Sequence, residues 1–475
     1  MAGQRKLGWE KWCTWVVLAF VAFSVLFYWI AADQLGSRQY TISKESADSF
    51  TREMADGSKV EQTISMPYDQ LNRFSVFVGT YKRINKGTLT LQVMEQGSLL
   101  AQASAMTDSL IADGRLDFTF DKPITTIKDK DLIMSISAVN AGPGNGVALL
   151  YNVGDANGSM FSFNDERVAG QLSYVISGYE PLPYRQAYWP LAAVVVLILT
   201  SVCAWTVGLK RRGKDNLLLR TARIIHQYRF LIQQLVNRDF KTKYKRSVLG
   251  MLWSFLNPLV TMGVQYVVFS TIFKDGTPYF PVYLLTGILM FSFFTESAGQ
   301  GILSIVSNAN LITKVYLPKY IYPITKVLSS AINLVISLVP LFAVIFILGL
   351  PLTKALFLIP VGLFFLLLFC MGMSLILSTA MVFFRDTQFL WGIVSMLWTY
   401  LTPIFYPERI IPKEIIGIFR WNPMYQYITF MRTIIIDGRS PDPIAYIWCA
   451  VSSVSVLLLG LWLFKKKQDR FVFYL

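Results

Sequence analysis

Eight long stretches without a charged residue constrain this 475-residue sequence more than any other feature. They are 20 to 30 residues long and cover 13–32, 186–209, 247–273, 276–295, 327–353, 355–384, 387–407 and 443–464. A helix needs about 20 apolar residues to cross the hydrocarbon core of a membrane. Hydrophobic residues make up 54% of the chain, against roughly 45–50% in soluble domains. The sequence therefore predicts an α-helical integral membrane protein with about eight spanning helices.

The charged residues are distributed unevenly, although the net charge is +15. Segment 32–187 carries 14 Lys and Arg against 18 Asp and Glu, whereas the rest of the chain carries 30 against 11. Lys and Arg collect on the cytoplasmic flanks of membrane helices. We therefore predict cytoplasmic N- and C-termini and an external segment 33–185. This pattern does not indicate a nucleic-acid partner.

The first apolar stretch, in 1–32, is predicted to be an uncleaved transmembrane anchor. It is longer than the apolar region of a typical signal peptide, and the bulky Ile30 would occupy a position where cleavage sites need a small residue. The stretch 186–209 is predicted to be the second transmembrane helix, followed by a basic cytoplasmic linker that ends at residue 215.

Segment 33–185 shows the alternation of apolar and polar residues that is typical of β-strands. The alternation covers 88–93, 116–120 and 132–138, and Gly-rich turn sequences separate these runs. Short alternating strands at such spacing predict an external all-β domain, an antiparallel sandwich. Its pattern is compatible with a glycan-binding module, and equally with a structural spacer or a protein-docking domain.

The segment 216–246 combines an amphipathic helix with a basic cluster. Asn216 is a candidate N-cap for a helix over 217–236, whose polar face is basic and suits a membrane surface or a partner protein. The cluster, which directly precedes a spanning helix, comprises Lys241, Lys243, Lys245 and Arg246. These cations either fix the topology against anionic lipid headgroups or attract a phosphate-bearing lipid.

No sequence signature indicates a nucleotide or metal site on this chain. The run from Gly208 to Lys214 has the spacing of a phosphate loop, but Asp215 follows where Ser or Thr should bind magnesium, and a membrane helix precedes it instead of a buried strand. The four cysteines lie in or beside apolar stretches, so a cysteine metal site is not indicated either. We therefore expect no cofactor on this chain.

Five motifs follow one another between residues 238 and 424. They are Arg238-Asp239 with 244–250 and Leu256-Asn257-Pro258, then 310–318, then Phe384-Arg385-Asp386, then 402–407, then 421–424. In this order they resemble the permease subunits of ABC-2 type polysaccharide exporters, which carry O antigens, capsules or teichoic acids. Lys319-Tyr320 departs from the Arg-Glu expected there. The resemblance covers about 260 residues and leaves 1–215 as an N-terminal extension.

The resemblance implies a transporter permease and not an enzyme. Residues 247–475 would form a six-span core, two copies would form the channel, and two separate ATP-binding subunits would carry ATP and magnesium. The cargo would be a lipid-linked glycan that leaves the cytoplasm through a bacterial plasma (inner) membrane. Segment 408–437 would be re-entrant on the external side, and its internal charges make a simple span costly.

The resemblance also assigns roles to individual residues. The helix 217–236 would be a cytoplasmic interface helix, and the basic cluster would be the entrance for a lipid pyrophosphate. The loop 307–319 would bind the ATP-binding subunit and couple it to the permease. The expected coupling residues are Asn310, Leu311, Lys314, Tyr316 and Pro318, together with Arg238 and Asp239.

Periodicity gives a hypothesis for the channel wall. On one helix, Phe255, Met262, Tyr266 and Phe269 share a face, and on another Trp391, Trp398 and Phe405 recur at intervals of seven. Aromatic faces suit the C–H surfaces of sugar rings, although lipid or a neighbouring helix is the alternative contact. Glu296, at the end of a span, receives no role from the sequence.

Three other functions stay open. An ABC-2 exporter could carry a drug or a small lipid, but the large external segment and the basic entrance favour a large cargo. A membrane glycosyltransferase or polymerase would need an acidic catalytic residue in an early external loop, and Asp33 and Asp48 have no motif around them. A glycan sensor or anchor would be expected to carry a signalling domain.

Overall fold

The computed structural model describes residues 9–44, 47–108, 110, 113–142, 144–153, 160–212, 217–245, 249–273, 279–314, 317–412 and 414–474. The contacts divide the chain into a β unit, Asp33–Pro190, and a helical unit, Met1–Ala32 with Leu191–Leu475. The predicted roles of Asn216 as a helix cap, Arg246 as an entrance cation and Tyr316 as a coupling residue lie outside the described residues.

The β unit contains thirteen described strands. They are β1 (Ser37–Lys44), β2 (Ser49–Phe50), β3 (Lys59–Ser65), β4 (Gln70–Gly79), β5 (Thr88–Glu95), β6 (Ser98–Met106), β7 (Gly114–Thr125), β8 (Asp131–Val139), β9 (Ala148–Asn152), β10 (Met160–Phe163), β11 (Glu166–Ala169), β12 (Gln171–Leu172) and β13 (Tyr174–Pro181). One sheet has the order β1-β13-β4-β9-β12, with β2 on β9 and β7 on β4. The second has the order β11-β10-β3-β8-β5-β6.

The two sheets share one buried core, which makes this unit a sandwich. Phe74 and Phe118 come from the first sheet, and Leu91 and Ile136 come from the second. Side chains alternate between the faces of a strand, so every second residue reaches this core. The predicted runs 88–93, 116–120 and 132–138 lie in β5, β7 and β8. The structure thus confirms the β prediction for this segment, while its external location stays a prediction.

The remaining chain is helical. The helices are α1 (Trp9–Gly36), α2 (Tyr184–Arg211), α3 (Leu217–Tyr244), α4 (Trp253–Phe273), α5 (Phe280–Leu303), α6 (Ala309–Lys314), α7 (Ile321–Ile347), α8 (Ile359–Phe383), α9 (Thr387–Tyr400), α10 (Ile416–Trp421), α11 (Pro423–Ile435), α12 (Pro443–Lys467) and α13 (Phe471–Tyr474). Short 3-10 turns cover Gly250–Leu252, Val306–Asn308, Lys354–Leu358, Glu408–Ile410 and Gln468–Arg470.

Seven of the described helices are long and apolar enough to cross a membrane. They are Glu10–Ala32, Tyr184–Arg211, Gly250–Thr271, Phe280–Leu303, Ile321–Ile347, Lys354–Phe383 and Pro443–Tyr474. The prediction of an eighth long helix over 387–407 is wrong, because α9 ends at Tyr400 after 14 residues. That length spans about 21 Å, short of a hydrocarbon core of about 30 Å. Pro403 lacks a backbone N–H and disfavours helical backbone at Thr402, so the helix does not continue.

Helix α5 lies at the centre of the helical unit. Its residues Phe291 and Phe294 are buried together with Phe369 of α8 and Tyr427 of α11. Helices α8 and α12 pack along each other through small residues, as membrane helices do. A Cβ added to Gly460 would lie 2.6 Å from the carbonyl oxygen of Gly372, so this contact requires glycine.

Candidate functional site

A polar cleft of about 270 Å³ lies between the end of α3 and the helices α4, α5 and α7. Its polar lining includes the last turn of α3 and the serines and asparagines of α4 and α7, and its apolar lining comes largely from α5. The lining residues are Lys243, Tyr244, Trp253, Ser254, Asn257, Pro258, Thr261, Ile288, Leu289, Ser292, Phe293, Glu296, Ser330, Asn333, Leu334 and Ser337. The cleft therefore combines a cation, a carboxylate and neutral donors beside an apolar wall.

The carboxylate of Glu296 is the centre of the cleft's hydrogen-bond network. Its Oε1 accepts from Lys243 Nζ at 2.8 Å and from Gln300 Nε2 at 2.9 Å. The same oxygen accepts from Asn333 Nδ2 at 3.0 Å and from Ser330 Oγ at 3.3 Å. An acidic side chain at membrane depth needs such partners, because burying an unpaired charge is costly. The sequence predicted Glu296 at the end of a span, but α5 continues to Leu303, so this residue lies within the helix. The network explains how a carboxylate is tolerated there.

Tyr244 extends the network from α3 to α4 and α7. Its hydroxyl lies within hydrogen-bond distance of Ser254 Oγ and 2.9 Å from Asn333 Oδ1. Ser337 Oγ donates to the backbone oxygen of Ser254 at 3.1 Å. These contacts join the end of the amphipathic helix to two spanning helices, so a movement of α3 would be transmitted to the cleft.

The predicted basic entrance is only partly brought to this cleft. Lys243 reaches it, while the side chains of Lys241 and Lys245 are exposed outside its lining. Lys243 is already paired, since its ammonium contacts Glu296 at 2.8 Å with both side chains partly exposed. A phosphate that binds Lys243 would therefore compete with a carboxylate for the same cation. The entrance role of these residues stays a prediction.

Arg238 and Asp239, which the resemblance places among the coupling residues, connect α3 to α7. Asp239 Oδ2 lies 2.9 Å from Lys326 Nζ, and Asp239 Oδ1 accepts from Arg238 Nη2 at 2.9 Å. The side chain of Asp239 is only 10% exposed, so this ion pair lies in a protected environment. Partly buried pairs contribute more than exposed ones, and we assign Asp239 a positioning role for α3.

The predicted coupling loop contains the short helix α6. The side chains of Asn310, Leu311 and Lys314 are exposed there, whereas Ile312 is buried in a small cluster with Phe464 and Phe471. One face of α6 is thus fixed to the end of the helical unit, and the other face is exposed. The coupling role of this loop stays a prediction. Pro318, at the end of the loop, is half-buried.

Lys319 anchors the same loop to the C-terminal segment. Its ammonium donates to the backbone oxygen of Gln468 at 2.7 Å and lies 5.9 Å from the centre of the Phe471 ring. Burial lowers the pKa of Lys319 below its ordinary value. At the position where the chain departs from the expected Arg-Glu, it therefore uses lysine for an internal contact.

The two predicted channel faces meet within the chain. Phe269 of α4 stacks on Phe405 with ring centres 5.7 Å apart and an interplanar angle of 4°. Met262 also packs against the core, Phe255 is half-buried, and Tyr266 is exposed with its ring 6.1 Å from Phe280.

On α9, Trp391 and Trp398 make edge contacts with Phe294 at 5.7 and 5.0 Å. The single chain therefore holds most of these aromatic residues in internal packing. Their role in lining a channel stays a prediction.

Two of the sequence motifs come together where α9 ends. Asn422 Oδ1 accepts from Trp398 Nε1 at 2.8 Å and from the backbone N–H of Met424 at 3.0 Å. Asn422 Nδ2 donates to Thr402 Oγ1 at 2.8 Å and to the Leu401 oxygen at 3.1 Å. The motif 421–424 thus caps α11 and binds the end of α9 with one side chain.

A buried arginine of α11 satisfies the backbone carbonyl groups just beyond α9. Arg432 is 8% exposed, and its guanidinium donates to the Pro403 oxygen at 2.8 Å and to the Ile404 oxygen at 2.9 Å. It also donates to the Tyr283 oxygen at 3.1 Å and lies 3.3 Å from the centre of the Tyr283 ring. Non-helical backbone at membrane depth requires such internal partners. In the sequence, this arginine is visible only as a charge that makes a simple span costly.

Comparison with known proteins places this helical unit in a family. Residues 230–436 match the family described as ABC-2 type transporter. The O-antigen export system permease protein RfbA of Myxococcus xanthus is 31% identical over 256 residues, which cover 54% of this chain and 98% of that protein.

Two further relatives each match about half of the chain. A Klebsiella pneumoniae protein of the same name is 29% identical over 243 residues, or 51% of this chain and 93% of that protein. The Escherichia coli polysialic acid transport protein KpsM is 22% identical over 246 residues, or 50% of this chain and 93% of that protein. The chain therefore belongs to the ABC-2 type transporter family, as its motifs predicted.

Proposed function

We propose that this chain is the permease subunit of an ATP-driven ABC exporter for a lipid-linked polysaccharide. The observation that carries the proposal is the match to 98% of an O-antigen export permease, since a nearly full-length match covers the parts that a permease needs. ATP and magnesium would bind two copies of a separate ATP-binding subunit, and a second copy of this chain would complete the channel. O antigen, capsule and teichoic acid are cargoes of the same chemical class.

The cleft beside Lys243 supports a lipid-linked cargo. A polyprenyl-type lipid would place its chain against the apolar wall of α5 and its phosphates near the ammonium. Lys243 would then exchange its contact with Glu296 for a contact with phosphate. Asn333 and Ser330 would continue to donate hydrogen bonds to the Glu296 carboxylate. The exposed Lys241 and Lys245 would raise the local concentration of the anionic headgroup.

The charge distribution supports the orientation. The basic residues of α3 and of the end of α12 would be cytoplasmic, together with both termini. The β unit, with its excess of acidic residues, would then be external in a bacterial plasma membrane. There it would receive the emerging glycan or bind a protein partner.

A transport assay tests this proposal directly. The chain would be co-expressed with an ABC ATP-binding subunit, reconstituted into vesicles and supplied with ATP and a polyprenyl-pyrophosphate-linked polysaccharide. Movement of the glycan across the membrane that requires ATP hydrolysis would support the proposal. A complex that hydrolyses ATP but moves only drugs or small lipids would contradict the polysaccharide cargo. A chain that binds no ATP-binding subunit would contradict the exporter function altogether.

Neighbouring residues of α6 allow a matched test of the coupling contact. We expect Leu311→Ala to weaken binding of the ATP-binding subunit about tenfold while the melting temperature stays unchanged, because this side chain is exposed. Ile312→Ala should instead destabilise the chain by about 2–4 kcal/mol, because it removes a buried side chain. Thermal unfolding and co-purification measure the two effects. Equal loss of stability in both variants would contradict a partner-facing Leu311.

A further inference from the structure

A small groove of about 160 Å³ lies on the seven-stranded sheet of the β unit. It is formed by three neighbouring strands, β4, β7 and β13, and its lining residues are Asn72, Arg73, Thr119, Phe120, Ser177, Gly178 and Tyr179. Leu71, Phe74, Phe118 and Ile176 of the same strands are buried in the core of the sandwich. Since side chains alternate, Thr119, Ser177 and Tyr179 point to the opposite, outer face of the sheet. Arg73 points there too, because it directly precedes the buried Phe74 and the register shifts between Leu71 and Arg73.

The pairing of β4 with β7 is irregular at this groove. Leu71 pairs with Ile124 of β7, but Arg73 pairs with Thr119, so four residues of β7 bulge out opposite Asn72. On the other side, the pairing of β4 with β13 ends at Arg73 and Ser177. Asn72 has no ladder partner in either register, among the residues that the structure describes. Pro123, which has no N–H, lies in the bulge, where a proline does not break a ladder bond.

The polar groups at the groove are not saturated by the protein. Asn72 Oδ1 is buried and has no hydrogen-bond partner among the described residues. A buried amide oxygen without a donor is costly, so a ligand that donates a hydrogen bond to Asn72 would remove this cost. The hydroxyls of Thr119 and Ser177 line the same space. The groove thus offers an amide and two hydroxyl groups to a ligand.

One aromatic ring completes the groove. Tyr179 is 40% exposed, and it follows Gly178, whose missing side chain leaves room for Tyr40 and the Gln70 carbonyl. Arg73 is the charged residue in the lining, and it lies 3.6 Å from the carboxylate of Asp117, which Arg115 contacts at 2.9 Å. Asp117 thus holds Arg73 in place, while two arginines sharing one carboxylate keep one net positive charge beside the groove. The other polar groups of the lining are a neutral amide and neutral hydroxyls, which suit the hydroxyl groups of a sugar.

We infer that this groove binds one neutral sugar unit of a glycan. The ring of Tyr179 would stack on the C–H face of a pyranose, and its hydroxyls would meet Asn72, Thr119 and Ser177. The small volume fits a single ring and excludes a folded peptide segment. The biological role of this sugar binding rests on the proposed export of a polysaccharide. The binding itself does not require transport.

The test uses the full-length chain in lipid nanodiscs and saturation-transfer NMR. The probes are methyl glycosides of glucose, galactose, mannose, rhamnose and N-acetylglucosamine, titrated one at a time. We expect saturation of at least one probe, and we expect Tyr179→Ala and Asn72→Ala each to weaken its binding about tenfold. Tyr81→Ala is the matched control, because it removes another accessible ring, 52% exposed, from a turn of the same unit outside the groove.

Three outcomes decide the matter. Loss of binding in the Tyr179 and Asn72 variants, with an unchanged melting temperature and normal binding by Tyr81→Ala, supports the groove. Binding of no probe, or equal binding by all variants, overturns it. The transport assay with the same variants separates this result from the proposed function. A chain that exports glycan but binds no sugar refutes the groove alone, whereas sugar binding without ATP-driven export refutes the exporter alone.

Discussion

Replacing Arg432 by leucine is expected to destabilise the helical unit by at least about 3 kcal/mol. The change removes the donors to the carbonyl oxygens of Pro403, Ile404 and Tyr283, and leucine cannot replace them. A buried polar group that loses its partner costs about 1–3 kcal/mol. The melting temperature of the detergent-purified chain, followed by fluorescence-detected gel filtration, should fall by roughly 10 °C.

Two further variants separate the hydrogen bonds from the charge. Arg432→Lys keeps a cation but cannot reach three carbonyl groups with the geometry of a guanidinium, so it should still be clearly destabilised. Arg420→Leu removes an exposed arginine of the same region, 3.7 Å from Glu408, and should change stability by less than about 1 kcal/mol. If Arg432→Leu were as stable as Arg420→Leu, the buried arginine would not hold the end of α9.

The local features of this fold could be predicted from the sequence. The strands β5, β7 and β8 follow from the alternation of apolar and polar residues, and the seven long helices follow from the length of the charge-free stretches. Each of these patterns lies within a single strand or helix, so it can be read from the sequence alone. The end of α9 was missed for a physical reason. The charge-free run continues to Pro407, whereas α9 ends at Tyr400. A count of charged residues does not detect the effect of Pro403 on the backbone.

The candidate site could be predicted only in part, since its contacts join distant elements. The sequence shows the basic cluster, but it does not show that Lys243 lies in a cleft. Glu296 is 53 positions away in the sequence, and Asn333 lies on yet another helix. Likewise, the unpaired Asn72 depends on the register of β4 against β7, which alternation does not fix. The motif 421–424 indicated a family, but not that Asn422 binds the end of α9.

Replacing Lys243 by methionine is expected to lower lipid-stimulated ATP hydrolysis at least about tenfold, while Lys241→Met should retain it within about twofold. Methionine preserves most of the apolar length of lysine but not its charge. A hydrogen bond to a charged group contributes about 1.5–3 kcal/mol, and 1.4 kcal/mol corresponds to a factor of ten. The measurement is the ATPase rate of the permease–ATPase complex in phosphatidylcholine vesicles that contain increasing amounts of undecaprenyl pyrophosphate.

Glu296→Gln distinguishes a phosphate ligand from a structural ion pair. Glutamine can still accept hydrogen bonds from Asn333 and Ser330, but it no longer competes with phosphate for the ammonium of Lys243. If Lys243 binds the headgroup, Glu296→Gln should lower the amount of undecaprenyl pyrophosphate needed for half-maximal stimulation, and Lys243→Met should raise it. If the pair only holds α3 against α5, both variants should lower the melting temperature and leave the lipid dependence unchanged. Opposite shifts from the two partners of one ion pair cannot arise from lost stability, so they would identify the cleft as the place where the lipid headgroup binds.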